Sequence, residues 1–531
     1  YNRMNDYVIR RATTGLAKYI LNNAGSQKPS IVIGHDSRHY SREFALEAAL
    51  VCASHGIKAY LFADLRPTPQ VSFAVRELGA SSGIMVTASH NPPDYNGYKV
   101  YWNDGAQVLF PHDKGIIAEV AKVQETAKVL EEKVAIEHNL LEYLDSEFDE
   151  KFFAMAMANR VNPAVFAEGS EDFKVVCTPL HGTGGYPLQT VFSRLGVELI
   201  CVPEQCQPDG DFPTVRFPNP EEAAALDMAI SLAKEKQADL VIGTDPDADR
   251  LGIALPGSGA NSDWILLNGN ELGTLFVDYV FSSLSAKGHL PDKPVFVNTV
   301  VTTELQNRIA EKYGAVTYRT LTGFKHIADI IRKLEDSPDG GSFIMGDEES
   351  YGFMFGTNVR DKDAISSSII CAEMTLFHKK NGKSLTQRLH EIYEEFGWYK
   401  EILVSRYFEG QSGIQVMNGL MNHLRTKAPK EIANSRVVQI KDFLTGDRIN
   451  PQTGQREKNI ELPSSNVLQF CCENGSVISA RPSGTEPKIK FYASVHTEQG
   501  LNEGEAKDII ANTLAGIEKT IGEWISTAEK L

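Results

Sequence analysis

The sequence predicts an α/β protein with largely parallel sheets that ends in a smaller α+β module. Three observations predict it. Short apolar runs ending in polar turns alternate with helix-periodic stretches over most of the chain. A length of 531 residues exceeds what one hydrophobic core supports and favours three or four domains of ordinary size. Beyond about Trp398 the pattern changes to strands separated by short turns.

In chain order, apolar residues recur at helical spacing from Asp6 to Asn22, and Asn23-Ala24-Gly25 stops the run. Ile31-Val32-Ile33 reads as a buried strand ending in Gly34-His35-Asp36-Ser37-Arg38. Ser41 is then placed to cap a helix running to about His55, closed by Gly56. Ile57 to Phe62 is the next strand, and the rhythm returns at Gly83 to Val86, Val175 to Cys177, Leu240 to Ile242, Val295 to Val297 and Phe343 to Met345. Three strands end alike, in Ile33-Gly34-His35-Asp36, Ile242-Gly243-Thr244-Asp245 and Met345-Gly346-Asp347-Glu348. They read as related units, each with an acidic loop at a strand's carboxyl end, where open α/β sheets gather ligands. The acidic stretch from Glu131 to Lys151 reads as a solvated helix connecting the first two units. In the last module Val467 to Cys472, Gly475 to Ala480 and Lys488 to Val495 are strands, and a terminal helix begins at Glu503.

Composition narrows the function. Hydrophobic residues make up 42% and charged residues 23%, and no apolar run approaches the ~20 residues of a bilayer-spanning helix. A formal charge of −16 disfavours nucleic acid or anionic lipid as partner, so a phosphate ligand would need a locally positive site. Seven cysteines without metal-type spacing are expected to be free thiols in a reducing, cytoplasmic setting, with Cys471 and Cys472 on opposite faces of one strand.

Four loops carry chemistry. Thr87-Ala88-Ser89-His90-Asn91-Pro92-Pro93 presents a serine at a strand end in a loop stiffened by two prolines, without the Gly-x-Ser-x-Gly elbow of many hydrolases. Gly243-Thr244-Asp245-Pro246-Asp247-Ala248-Asp249-Arg250 sets three carboxylates at alternate positions, a hard oxygen donor set suited to Mg²⁺, beside a cation suited to phosphate. Gly346-Asp347-Glu348-Glu349-Ser350-Tyr351-Gly352 offers acceptors for vicinal sugar hydroxyls. Arg481-Pro482-Ser483-Gly484-Thr485-Glu486-Pro487-Lys488 combines a cation, hydroxyls and amides around a glycine, the parts of a phosphate cradle. Leu180-His181-Gly182-Thr183-Gly184-Gly185 does not match a dinucleotide fingerprint and reads as a close backbone passage.

These four loops, in this order, resemble the α-D-phosphohexomutase superfamily, and Glu348-Glu349-Ser350-Tyr351-Gly352 is most similar to its phosphoglucomutase and phosphopentomutase branch. The resemblance implies three α/β domains and a smaller α+β domain around a central cleft, here 1–142, 143–267, 268–394 and 395–531. It implies that Ser89 is phosphorylated and that Ser89, Asp245, Asp247 and Asp249 hold one Mg²⁺. It places His90, Lys99 and Arg250 at the transferred group, with Lys99 as proton donor or acceptor. Glu348 and Ser350 would contact the sugar hydroxyls, Thr322, Gly323 and Lys325 would belong to a further specificity loop, Lys362 would add a cation for the substrate, and Arg481, Ser483, Gly484 and Thr485 would hold the phosphate not being transferred. A Gly-Leu-Arg-Gly type phosphate loop is expected ahead of Asn2-Arg3-Met4-Asn5 and does not occur here, so a native N-terminal segment is expected to be missing. The implied activity is interconversion of glucose 1-phosphate and glucose 6-phosphate through a 1,6-bisphosphate that also serves as activator, in a monomer or homodimer. Closure of the fourth domain is expected about Tyr399 to Leu403. Mannose and pentose phosphates stay open as substrates. So do a metal-dependent phosphatase using Asp245 as nucleophile and a non-catalytic phosphosugar sensor.

Overall fold

Apolar, β-branched runs form the centres of four sheets. The computed structural model describes residues 4–23, 28–124, 129–167, 170–257, 263–408, 410–483 and 488–529, without the side chains of 410–412. By its contacts the chain divides into two units: the first holds three sheets, and the second, from Gln387 onward with two short segments near 300 and 320, holds the fourth.

In the first sheet, β1 (Ser30–His35) pairs in parallel with β2 (Lys58–Phe62) and β3 (Ser82–Val86). The antiparallel β4 (Tyr98–Trp102) follows β3, and β5 (Leu141–Leu144) lies parallel to β2 at the other edge. Ile31, Ile33, Ile84 and Val86 meet Ala45, Ala48 and Ala49 of the helix Ser41–Ser54 in its core. The second sheet repeats this plan with β7 (Glu198–Cys201) and β8 (Leu240–Thr244) parallel to β6 (Lys174–Thr178) on its two sides, and β9 (Leu251–Leu255) and β10 (Ile265–Leu267) following in antiparallel hairpins. The third sheet has the order β12-β11-β13-β14, from β11 (Pro294–Thr299), β12 (Val316–Thr320), β13 (Ser342–Glu348) and β14 (Gly352–Phe355), with β13 parallel to β11 and antiparallel to β14.

The repeated unit is therefore present, but its first member differs from the expected one. β8 and β13 each lead into an antiparallel hairpin, and in the first sheet it is β3 that does so, not β1. The serine, metal and sugar loops thus follow equivalent strands. Each strand carries a glycine closed over by the helix before it. An added Cβ would lie 2.6 Å from Val75 at Gly83, 2.4 Å from Leu226 at Gly243 and 2.9 Å from Ile327 at Gly346.

The second unit's sheet runs β15 (Tyr399–Tyr407), β22 (Lys488–His496), β21 (Val477–Pro482), β20 (Leu468–Cys472), β17 (Ser435–Asp442), β18 (Asp447–Ile449) and β19 (Arg456–Lys458), with β16 (Glu431–Ile432) beside β17. Phe470, Ile478 and Phe491 pack under Leu420 and Met421 of one helix and Ile517 and Ile521 of another.

Several expectations need correction. The stretch from Glu131 to Lys151 is not a connecting helix: it holds the short helix Glu132–Glu137, strand β5 and the start of the helix Ser146–Ala158. The expected boundary at 142 falls inside β5, whose main chain belongs to the first sheet. Ser41 is the first helical residue instead of the cap; left-handed Tyr40 precedes it, and the Ser41 hydroxyl donates to Asp36. Tyr399 to Leu403, about which closure is expected, forms the first half of β15 and pairs along its length with β22 of the same unit. Cys201 and Cys206 form a disulfide across one turn, Cα to Cα 5.9 Å, while Cys52, Cys177, Cys371, Cys471 and Cys472 are free. Among the described residues no helix is long and apolar enough to cross a membrane.

Candidate active site

The chain leaves β3 at Val86 and turns sharply. Ser89 has φ 51, a left-handed conformation that a serine holds only where its surroundings enforce it, and its N–H donates to Thr87 Oγ1 at 2.8 Å. Its Oγ then donates to Asp245 Oδ2 at 2.7 Å and lies 3.2 Å from His90 Nδ1. Two sequence motifs 156 residues apart therefore meet at one hydrogen bond.

Asp245, Asp247 and Asp249 are buried, and each offers an oxygen within 4.8 Å of the others. The left-handed Ala248 curls the loop so that Asp245 Oδ1 accepts the N–H groups of Asp249 and Arg250, both at 3.1 Å. Asp247 Oδ2 accepts from Thr68 Oγ1 and Lys99 Nζ, each at 2.7 Å. Asp249 Oδ2 meets Lys99 Nζ at 3.2 Å and Lys362 Nζ at 3.0 Å. The Oδ1 atoms of Asp247 and Asp249 are buried without a hydrogen-bond partner. Buried carboxylate oxygens left unengaged at the centre of an all-oxygen cluster fit a hard divalent cation.

The same burial sets the charges. Desolvation, reinforced by Asp247 and Asp249, pushes the Asp245 carboxyl well above the ordinary carboxylate range. Burial acts on Asp247 in the same sense, but Lys99 and the hydrogen bonds it receives hold it below that range. Burial would favour neutral amines at Lys99 and Lys362; the carboxylates around them prevail and keep both charged. Arg250 pairs with Glu221.

Lys99 lies on β4, and Gly97 before it lets that strand pass the serine loop, since an added Cβ would lie 2.5 Å from Thr87 O. The Lys362 stem crosses Gly352, where a Cβ would lie 2.3 Å from it, so the cation is threaded beneath the sugar loop. Glu348 Oε1 accepts the Gly323 N–H at 2.6 Å and joins two loops expected to read the sugar. The Tyr351 carbonyl accepts the Leu251 N–H at 3.0 Å and fixes the sugar loop to the strand after the metal loop. Gly182 is a close backbone passage: an added Cβ would lie 2.3 Å from Pro246 Cα, and Thr183 N–H donates to Pro246 O at 2.8 Å.

The first unit thus brings Ser89, His90, Lys99, Asp245, Asp247, Asp249, Arg250, Lys362, Glu348 and Gly323 into one region, with Ser350 half-buried beside Glu348. Lys325 stands apart, in the first turn of the helix Phe324–Glu335, lining a small cavity with Trp102 and Leu109. Thr322, Arg481 and Ser483 belong by their contacts to the second unit, where Ser483 N–H donates to Lys488 O at 2.7 Å. Gly484 and Thr485 lie outside the described residues. Sequence reasoning missed Arg38, which gathers carbonyls of the serine loop, and Thr68, which donates to Asp247 through both its N–H and its hydroxyl. It also missed Asp361, an acceptor for Lys362, Tyr101 and Gln107.

A serine held against a buried carboxylate triad, at the carboxyl ends of repeated α/β sheets, is an arrangement suited to metal-assisted phosphoryl transfer. Residues 1–127, 151–258 and 268–396 match the alpha/beta/alpha domains I, II and III of phosphoglucomutase/phosphomannomutase. A phosphoglucomutase of Staphylococcus haemolyticus is 38% identical over 498 residues, 93% of this chain and 88% of that protein. One from Staphylococcus aureus strain MRSA252 is 38% identical over 93% of this chain and 86% of its own length. The open form of pp63/parafusin, a phosphoglucomutase from Paramecium, shares the fold with a TM-score of 0.70 at 18% identity, covering 98% of this chain and 91% of that one. The chain belongs to the phosphoglucomutase/phosphomannomutase family, in its phosphoglucomutase branch, and is an isomerase of the phosphohexomutase type.

Proposed function

We propose that this isomerase interconverts glucose 1-phosphate and glucose 6-phosphate through phospho-Ser89 and glucose 1,6-bisphosphate. The observation that carries the reading is the 2.7 Å hydrogen bond from Ser89 Oγ into the buried Asp245-Asp247-Asp249 cluster. Those carboxylates and an oxygen of phosphorylated Ser89 would hold Mg²⁺, which when bound supplies positive charge to the oxygens of the group in transfer.

The chain's own residues position everything else. His90 orients the phosphoryl group on Ser89, and Arg250 and Lys362 are fixed cations beside it. Lys99, kept charged by Asp247 and Asp249, suits the donor half of a proton-transfer role at the serine oxygen. Glu348 and Ser350, with Thr322 and Gly323, contact the sugar, while Arg481, Ser483, Gly484 and Thr485 grip the phosphate not in transfer.

With glucose 1-phosphate so held, the 6-hydroxyl attacks the phosphorus on Ser89, the bond from Ser89 Oγ to phosphorus breaks, Lys99 gives Ser89 Oγ a proton and is restored by the proton the 6-hydroxyl loses, and glucose 1,6-bisphosphate forms. The sugar turns around, its 1-phosphoryl group returns to Ser89, and glucose 6-phosphate leaves. Added bisphosphate charges an unphosphorylated Ser89, which accounts for an activator. A cytoplasmic monomer or homodimer belongs to the same reading.

The test compares glucose 1-phosphate, mannose 1-phosphate and ribose 1-phosphate with catalytic bisphosphate. Isomer formation fastest from glucose 1-phosphate is expected. Free phosphate without isomer would replace the reading with a phosphatase, and binding without exchange of label between positions 1 and 6 with a sensor.

A further inference from the structure

The loop after β1 is not one of the four loops expected to carry chemistry, yet it holds the serine loop from beneath. Arg38 Nη2 donates to Ser89 O at 2.6 Å and also to Asn91 O, while its Nη1 donates to Pro92 O at 2.7 Å and Tyr95 O at 3.0 Å. Four carbonyls of one loop thus converge on one planar guanidinium. The guanidinium is itself fixed. Asp36 Oδ2 lies 3.2 Å from Arg38 Nε with both side chains fully buried, Asp36 Oδ1 accepts the Arg38 N–H at 2.9 Å and the Ser41 hydroxyl at 2.7 Å, and the Phe212 ring lies 4.9 Å away.

This arrangement has a geometric consequence at the serine. Drawing the carbonyls of residues 89, 91 and 92 to one side fixes the turn in which Ser89 takes φ 51, and in that turn its Oγ reaches Asp245. Without the fork, a serine has little reason to keep the left-handed conformation. A lysine cannot substitute, because an ammonium on a flexible stem lacks the planar set of donors needed to span four carbonyls.

Resting on the reading of Ser89 as phosphoryl carrier, we propose that Arg38 is a positioning residue that sets Ser89 Oγ for transfer. The rate of transfer, and not sugar affinity, depends on it. Arg38 is buried beneath the loop and acts through Ser89.

The experiment measures kcat, KM and melting temperature for wild type, Arg38→Met and Arg38→Lys, with glucose 1-phosphate and saturating glucose 1,6-bisphosphate. We expect kcat to fall about 100-fold in both variants, the loss that follows an ångström of misplacement. KM should change little, as for an interaction that matters in the transition state. Methylguanidinium should restore part of the turnover of Arg38→Ala and none of that of Ser89→Ala. A folded Arg38→Lys with wild-type kcat overturns the proposal, as does a loss confined to KM. If Arg38→Met fails to fold, Arg38→Lys decides, and failure of Arg38→Lys to fold also counts against a positioning role. A wild type that forms no isomer would instead sink the functional reading. Wild-type activity matched by Arg38→Lys sinks this proposal alone.

Discussion

Ser89 is fixed by its own turn, by the acceptor Asp245 and by its neighbour His90, so its hydroxyl has one direction to face. Removing that hydroxyl in Ser89→Ala should abolish phosphoryl uptake from glucose 1,6-bisphosphate while leaving the melting temperature near wild type. Lys99→Met should lower kcat by about 10²- to 10⁴-fold, the range of general acid–base contributions, and unchanged turnover would refute a proton-transfer role. Ser89 and the three aspartates were legible because each motif is local, with its chemistry contained in a few consecutive residues. Arg38 and Thr68 were not, because their partners lie 51 and 179 residues away and only the folded chain joins them.

At the scale of elements, the three loops are alike because the strands before them are alike: each enters a hairpin after a helix has closed over a strand glycine. The sequence shows the Gly-acid endings but not which strand enters an antiparallel hairpin, so the β1 ending reads like those of β8 and β13 although β3 is their equivalent. The edge strand β5 escaped for a related reason. Its buried residues Leu141 and Leu144 are three apart with Glu142 and Tyr143 exposed between them, a spacing that a helix would also show. Close passages make a sharper prediction. In Gly182→Ala the new Cβ meets the main chain of Pro246, which cannot turn aside, so stability should fall by about 1–3 kcal/mol and Mg²⁺ affinity with it. In Gly243→Ala the nearest atom is the end of the Leu226 side chain, which can rotate, so the loss should be smaller. Thermal denaturation and Mg²⁺ titration of the two variants check this, and equal losses would contradict it.

Across the molecule, buried charge pairs join segments that the chain separates widely. Arg66 grips Asp149 with two hydrogen bonds of 2.8 Å, and Gln70 adds a third at 2.6 Å, linking the residues after β2 to the helix Ser146–Ala158. Asp149→Ala leaves the mostly buried Arg66 guanidinium without its partner and should reduce stability by about 3–5 kcal/mol in denaturant unfolding. A chelator should abolish turnover without unfolding the chain, and Mg²⁺ should restore it. In the proposed cycle Ser89 carries the phosphoryl group between the two ends of the sugar. The most direct test of that role is peptide mass analysis after incubation with glucose 1,6-bisphosphate. One phosphoryl group is expected on Ser89, leaving when excess glucose 1-phosphate is added. A phosphoryl group on Asp245, or isomerisation proceeding with Ser89 never modified, would contradict it.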